Sequence, residues 1–202
     1  MIAIINYAAG NLRSVARALD FLKVPHRVTR SRREIARASG LIFPGVGTAS
    51  TAFQVLRKAQ LLAVIQEQLK ENKPFLGICL GHQILLEFSE EGNTQGLGFL
   101  KGKTRKLKKR PGICVPQIGW NAVDFRKPTP LLAKLKSGTP FYFLHSYAGF
   151  PQQTSVVYAT FTHGQKLPAV IAKGQVFGVQ FHPEKSGPAG LQVLRNFADL
   201  AV

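Results

Sequence analysis

Three residues have the types and spacing for nucleophilic acyl transfer. Cys79 lies in Gly77-Ile78-Cys79-Leu80-Gly81, and His182 and Glu184 bracket a proline in Gln180-Phe181-His182-Pro183-Glu184. In such chemistry a thiolate attacks a carbonyl carbon, an imidazole moves the proton, and a carboxylate orients the imidazole. The apolar residues Phe75, Leu76 and Ile78 before the cysteine read as a buried strand. Ile84, Leu85, Leu86 and Phe88 after it read as a helix, so Cys79 sits on a sharp strand-to-helix turn. A side chain at either flanking glycine would clash in that turn, and the nucleophile's backbone is strained. Unpaired N–H groups and the positive end of a helix stabilise a thiolate there. The N–H of Leu80 is free to form half of an oxyanion hole. A lone cysteine is more often a small buried hydrophobe; the two glycines weigh against that here.

His182 closes the last predicted strand. If that strand is parallel and central, its end lies beside Cys79. Pro183 fixes the turn, so that Glu184 can hold one imidazole nitrogen while the other faces the thiol. His82 falls in the first helical turn and points away, in a packing or surface role. His145, in Leu144-His145-Ser146-Tyr147, lines a pocket or packs beneath it, and His26 and His163 read as loop residues. Pro44-Gly45-Val46-Gly47 follows another apolar strand and is a second source of oxyanion N–H groups. No Cys/His spacing suggests a metal, and no cofactor is implied.

The elements that must position these groups alternate. Ile2–Ile5, Arg27–Thr29, Leu41–Phe43 and Phe75–Ile78 are predicted strands. Between them fall helices carrying Leu12, Val15, Ala16, Leu19 and Leu22, a short one opened by Ser31 and Glu34 and closed by Gly40, and a long one from Gln54 to Glu71. Asn6 to Asn11 is the first loop. This pattern predicts an α/β fold: an open, mostly parallel sheet with helices on both faces, and catalytic groups at the C-terminal strand ends. After Gly92 the texture changes to short strands with frequent glycines: Phe99-Leu100, Ile113–Val115, Ala122–Phe125, Phe141–Leu144, Val156–Phe161, Val170–Ala172 and Val176–Gln180. These read as antiparallel hairpins, followed by a final helix from about Pro188.

The 202 residues, 45% hydrophobic and 18% charged, suit one globular domain spanning 1–202. Two cysteines make no disulfide framework, Met1–Asn6 has no basic leader pattern, and no apolar run is long enough for a membrane span. A cytoplasmic protein is expected. The formal charge of +17 admits nucleic acid, an anionic ligand or an acidic partner. Seven cations crowd Lys101–Arg110 without interleaved aromatics. That stretch reads as a solvated edge strand whose lysines discourage pairing; nucleic-acid binding is disfavoured.

Gly77-x-Cys79-x-Gly81-x-Gln83 together with His182-Pro183-Glu184 resembles the class I (triad-type) glutamine amidotransferases, a family with a flavodoxin-like sheet. Further segments resemble one branch of it, the glutaminase subunits of imidazole glycerol phosphate synthases. These are Asn6-Tyr7-x-x-Gly10-Asn11-Leu12-Arg13-Ser14, Pro44–Gly47, Pro116-x-x-Gly119-Trp120-Asn121 and Tyr142-Phe143-x-His145-Ser146-Tyr147. Most other amidotransferases carry Gly-Gly-Pro-type sequences at Pro44–Gly47. The resemblance implies that Cys79, His182 and Glu184 hydrolyse glutamine and that Leu80, Val46 and Gly47 stabilise the oxyanion. It implies that Gln83, Glu91, Gly47, Ser146 and Tyr147 hold the substrate. It further implies a heterodimer with a (β/α)8 cyclase subunit, contacted by Trp120, Tyr142 and Lys185. Ammonia would pass to that partner by a channel, for synthesis of imidazole glycerol phosphate and aminoimidazole carboxamide ribotide. Glutaminase subunits of pyridoxal phosphate synthesis and stand-alone γ-glutamyl hydrolases fit Pro116–Asn121 and Tyr142–Tyr147 less well. A rival of another class is a basic nucleic-acid-binding module with a vestigial site.

Overall fold

The computed structural model describes residues 1–7 and 11–201; Ala8, Ala9 and Gly10 of the predicted first loop lie outside them. β1 (Ile2–Ile5), α1 (Leu12–Phe21), β2 (His26–Thr29), α2 (Arg32–Arg37), β3 (Gly40–Phe43), α3 (Ala49–Lys58), α4 (Leu62–Lys70) and β4 (Phe75–Ile78) alternate as expected. A one-turn α5 (Leu80–Gln83) follows Cys79. Then come β5 (Leu86–Ser89), β6 (Thr94–Gln95), β7 (Leu100–Lys106), β8 (Gln117–Phe125), β9 (Thr139–His145), β10 (Tyr147–Pro151), β11 (Val157–Thr162), β12 (Lys166–Lys173), β13 (Val176–Val179) and α6 (Gly187–Leu200).

The main sheet runs β2-β1-β3-β4-β13-β12-β11-β8-β9. Its first five strands are mutually parallel, and the other pairings are antiparallel. β1, β3, β4 and β13 are buried at every residue, as parallel strands covered on both faces must be. Val15 and Leu19 of α1 pack on one face with Leu194 and Phe197 of α6. Phe53 and Leu56 of α3 pack on the other with Ile65 and Leu69 of α4. A second sheet, β10-β7-β5-β6, lies apart from this ladder.

Several sequence expectations need correction. The long helix 54–71 is two helices. Thr48 caps α3 by accepting from Thr51 N–H. The helix ends where Gln60 adopts a left-handed φ of 54° and Leu61 N–H reaches back to the Leu56 carbonyl at 2.8 Å. That is a Schellman-type stop built on a glutamine, so no glycine marks it. The break buries Leu56 and Leu61 together. The run Ile84–Phe88 is not a helix. Leu97, Gly98 and Leu100 donate to the carbonyls of Ile84, Leu86 and Leu85, respectively. Those long-range bonds take the acceptors a continuing helix would use, and β5 forms instead. α2 ends at Arg37, with Ala38 at its cap, and Gly40 opens β3 rather than closing a helix. His26 heads β2 instead of lying in a loop. Ile113–Val115 forms no strand; only an isolated bridge joins Arg110 to Ile113.

The basic stretch is not an edge. β7 is paired on both sides, antiparallel to β10 and parallel to β5. Its lysines are tolerated because they alternate with inward residues. Leu100 and Thr104 are buried, while Lys101, Lys103 and Arg105 are exposed.

Gln60 is exposed and pays the steric cost of left-handed backbone, about 1 kcal/mol for a residue with a Cβ. Gln60→Gly removes that cost without entering either helix. Urea denaturation should show a gain of roughly 0.5–1 kcal/mol.

Candidate active site

The turn after β4 is enforced by contact. A Cβ on Gly77 would lie 2.4 Å from the Gly81 carbonyl carbon, and one on Gly81 would lie 2.4 Å from the Phe43 carbonyl oxygen. Only glycines let α5 fold back this closely onto β4 and β3. Cys79 itself takes φ 49° and ψ −96°, the strained conformation expected of a nucleophile elbow. α5 is a single turn, so the helix terminus beside the thiol is weaker than the sequence suggests.

β13 lies parallel to β4 with Val179 opposite Ile78. The Cys79 N–H donates to the Val179 carbonyl at 2.7 Å, which ties the elbow to the strand leading to His182. A 3-10 turn over Pro183–Lys185 then brings Glu184 back onto His182. His182 Nδ1 donates to Glu184 Oε1 at 2.8 Å, with both side chains buried. Nε2, the nitrogen left for Cys79, has no hydrogen-bond partner among the described residues. Burial opposes charging of His182. Negative charge at Cys79 and the Glu184 carboxylate outweigh it and raise the imidazole from 6.5 to about 10. The charges beside it thus favour the protonated ring, the form able to protonate a leaving group.

Pro44–Gly47 follows β3, next to the elbow. The buried Tyr7 hydroxyl donates to the Pro44 carbonyl at 2.8 Å and the Val46 carbonyl at 3.0 Å. Burial and the charge at Cys79 raise its pKa, which keeps it a donor. Among the described residues, the N–H groups of Val46, Gly47 and Leu80 donate to nothing. Those groups and Cys79 border a cleft of ≈ 250 Å³, lined also by Gly45, Gln83, Glu91, Leu144, His145, Ser146 and Tyr147. Burial raises the pKa of Glu91, against the bond its Oε2 accepts from Ala49 N–H at 2.9 Å. The arrangement combines a cysteine sulfur, an imidazole, N–H groups without a partner among the described residues and a carboxylate around a small cleft, as hydrolysis of an amide with a nearby cationic group would require.

The profile of the family described as Glutamine amidotransferase class-I matches residues 3–200. The chain belongs to the class-I glutamine amidotransferases. It is 44% identical over 203 residues to "Imidazole glycerol phosphate synthase subunit HisH" of Trichodesmium erythraeum, covering 100% of this chain and 95% of that one. The protein of the same name from Moorella thermoacetica is 46% identical over 200 residues, covering 98% and 94%. A solved structure titled "Crystal structure of glutamine amidotransferase" superposes with a TM-score of 0.78 at 20% identity, covering 100% and 99%, and so supports the fold.

Within this amidotransferase, every residue named from sequence for catalysis, oxyanion binding or substrate binding, apart from His182 and Glu184, lines the cleft. His182 and Glu184 lie behind Cys79. His82 is fully buried between Gly149 and Gly178, and burial, with the neighbouring His145, lowers its pKa to about 3. Burial also lowers His145 to about 4, while its Nδ1 pairs with the Tyr147 carbonyl at 2.8 Å. Burial thus disfavours the charged form of both, whereas the charges beside His182 favour it there. Trp120, 58% exposed, meets Tyr142 edge-on at 6.1 Å, and Lys185 Nζ sits 5.7 Å above the Tyr142 ring. With Ile118, 62% exposed, they form one apolar-cationic patch.

Sequence reasoning missed three supports. Asn11 Nδ2 donates to Glu184 Oε1 at 3.1 Å, and its own oxygen accepts from Ser14 Oγ at 2.5 Å. Ser186 Oγ donates to the His182 carbonyl at 2.7 Å and accepts from Tyr142 N–H at 3.0 Å. Gln180 approaches the sulfur. The available signal was a polar residue next to an apolar strand or at a helix start, where burial obliges it to find partners.

His182 holds its proton above the value of free imidazole. It therefore contributes stability that is complete below about pH 6.5 and is lost as the pH rises through about 10. Glu184→Gln withdraws one source of that rise. The His182 ring titration, followed by proton–carbon NMR, should move to lower pH.

Proposed function

We propose that this chain is the glutaminase subunit of an imidazole glycerol phosphate synthase, acting in histidine biosynthesis, with residues 1–202 as one amidotransferase domain. The observation that carries the chemistry is the buried His182–Glu184 pair behind a cysteine held at a positive-φ elbow. The identity to HisH proteins over nearly the whole chain carries the assignment to this synthase.

The Cys79 thiolate attacks the side-chain carbonyl carbon of glutamine. The N–H groups of Leu80, Val46 and Gly47 take the oxyanion of the tetrahedral intermediate. His182 gives its proton to the departing nitrogen, and ammonia leaves a glutamyl thioester on Cys79. The now neutral His182 takes a proton from water, whose oxygen attacks the thioester. Collapse of the second intermediate restores the thiolate and releases glutamate. Glu91, beside the cleft, pairs with the substrate α-ammonium; Ser146 and Tyr147 hold its carboxylate end, with Gln83 nearby.

Ammonia protonated in neutral water is no nucleophile, so a closed route to the consumer is chemically necessary. A (β/α)8 cyclase subunit in the cytoplasm is that consumer. Among the described residues no helix is long and apolar enough to cross a membrane. The Trp120–Tyr142–Lys185 patch is the docking surface, because a fully desolvated tryptophan is the usual anchor of such contacts. The patch is one step from the triad: His182 N–H donates to the Tyr142 carbonyl at 2.9 Å. The Pro44–Gly47 loop acts as a switch, since turning one of its peptides completes or spoils the oxyanion hole.

Glutamate release by the chain alone, and with the cyclase and its nucleotide substrate, tests the assignment. Strong activity only in the full mixture, and its loss in Cys79→Ala, is the expected outcome. Robust activity of the isolated chain would point instead to an independent glutaminase. Trp120→Ala should weaken cyclase binding in calorimetric titration by about 2 kcal/mol; unchanged affinity would move the interface elsewhere.

A further inference from the structure

Gln180 is fully buried, and the mechanism above gives it no part. Its amide nitrogen lies 3.5 Å from Cys79 Sγ. Its amide oxygen accepts from Gln83 Nε2 at 3.2 Å, and the same Gln83 nitrogen donates to the main-chain carbonyl of Tyr147 at 2.7 Å. The far end of this chain decides its direction. A carbonyl only accepts, so the NH2 of Gln83 must face Tyr147. That NH2 then meets Gln180, whose oxygen must face it. The NH2 of Gln180 is left pointing at the sulfur.

Among the described residues, the Leu144 carbonyl also approaches the sulfur, at 3.7 Å. It suits a neutral thiol, which can donate to it, and repels a thiolate. α5 has only four residues and sums few peptide dipoles. Besides His182, Gln180 is therefore the side chain placed to favour the charged sulfur.

We propose that Gln180 is a catalytic residue that donates a hydrogen bond to the Cys79 thiolate, and that Gln83 is the positioning residue that keeps it turned toward the sulfur. The proposal rests on the reading of Cys79 as nucleophile. No proton moves through Gln180. Its N–H stabilises sulfur at the two points where it carries charge, before attack on the amide and when the thioester C–S bond breaks. Gln83 is then more than a wall of the glutamine cleft. It transmits the fixed polarity of a main-chain carbonyl to the reacting atom.

The test is alkylation of Cys79 by iodoacetamide in the full chain between pH 6 and 10, read by mass spectrometry. A Cys114→Ser background removes the exposed second thiol. Gln180→Met keeps length and burial but removes the donor. The alkylation rate at pH 7 should fall about tenfold, the worth of one hydrogen bond to a charged group. The difference should narrow toward the alkaline end of that range, where hydroxide removes the thiol proton without help from a hydrogen bond. Gln83→Met should act in the same direction, by about threefold, because Gln180 is then free to turn. An unchanged rate in folded Gln180→Met, or a drop that is equal at every pH, overturns the proposal. If circular dichroism shows that Gln180→Met does not fold, Gln83→Met decides, and an unchanged rate there overturns it too. Glutaminase activity surviving in Cys79→Ala with the cyclase present would instead remove the nucleophile reading. An inactive Cys79→Ala beside an unchanged Gln180→Met profile removes only the role of Gln180.

Discussion

The parallel register of β4 against β13 is the constraint on which the site depends. Ile78 pairs with Val179, and the next N–H along, that of Cys79, donates to the Val179 carbonyl. One bond thus fixes where the Cys79 backbone stands relative to the strand that leads to Gln180 and His182. In a parallel ladder a slip of one residue would reverse every side chain. Here both strands are buried on both faces, so a slip would also misplace Phe75, Leu76, Val176 and Phe177 in the two cores. Hydrophobic burial across the sheet therefore sets the geometry of a polar site that contributes little burial itself.

The strain at Cys79 has a source and a counterweight. The left-handed φ disfavours any residue with a Cβ. It persists because Gly77, Gly81 and Gly45 allow three backbones to approach more closely than a methyl group would permit. A Cβ on Gly45 would meet the Ile78 carbonyl oxygen at 1.9 Å and the Leu80 nitrogen at 2.4 Å. The same close approach brings Pro44–Gly47 and the Leu80 N–H to one side of the sulfur. The fold thus uses missing side chains twice, to make the elbow and to bring donors to it.

The polar groups behind the cleft form a chain of fixed directions. Ser14 fixes Asn11, Asn11 and Glu184 fix His182 Nδ1, and Ser186 closes the turn between them. On the other side, Tyr147 fixes Gln83 and Gln83 fixes Gln180. Each buried donor used in these chains meets an acceptor, so their burial is compensated. His182 Nε2 is the exception: it has no hydrogen-bond partner among the described residues, and the ring interacts with Cys79. The patch of Trp120, Tyr142 and Lys185 connects to this network through main-chain bonds of Tyr142, a short physical path between a surface and the triad.

Some of this was written locally in the sequence. The glycines around Cys79, the His-Pro-Glu turn, the short β-branched strands and the Ser31 cap each depend on residues within a few positions. Steric and capping rules act at that range, so the alternating parallel sheet, the sharp turn at Cys79 and the His182–Glu184 pairing were legible there. Tertiary structure decided wherever a distant partner outbid a local preference. Ile84–Phe88 has helical spacing, yet its carbonyls are claimed by Leu97–Leu100 and it becomes a strand. Lys101–Lys106 has the composition of an edge, yet both of its sides are paired, with Leu100 and Thr104 turned inward. The helix stop at Gln60 shows in the packing of Leu56 and Leu61 and not in the residue type. The partners of Asn11 and Gln180 are set by strand order alone: polar side chains far apart in sequence find each other because nonpolar strands bring their ends together.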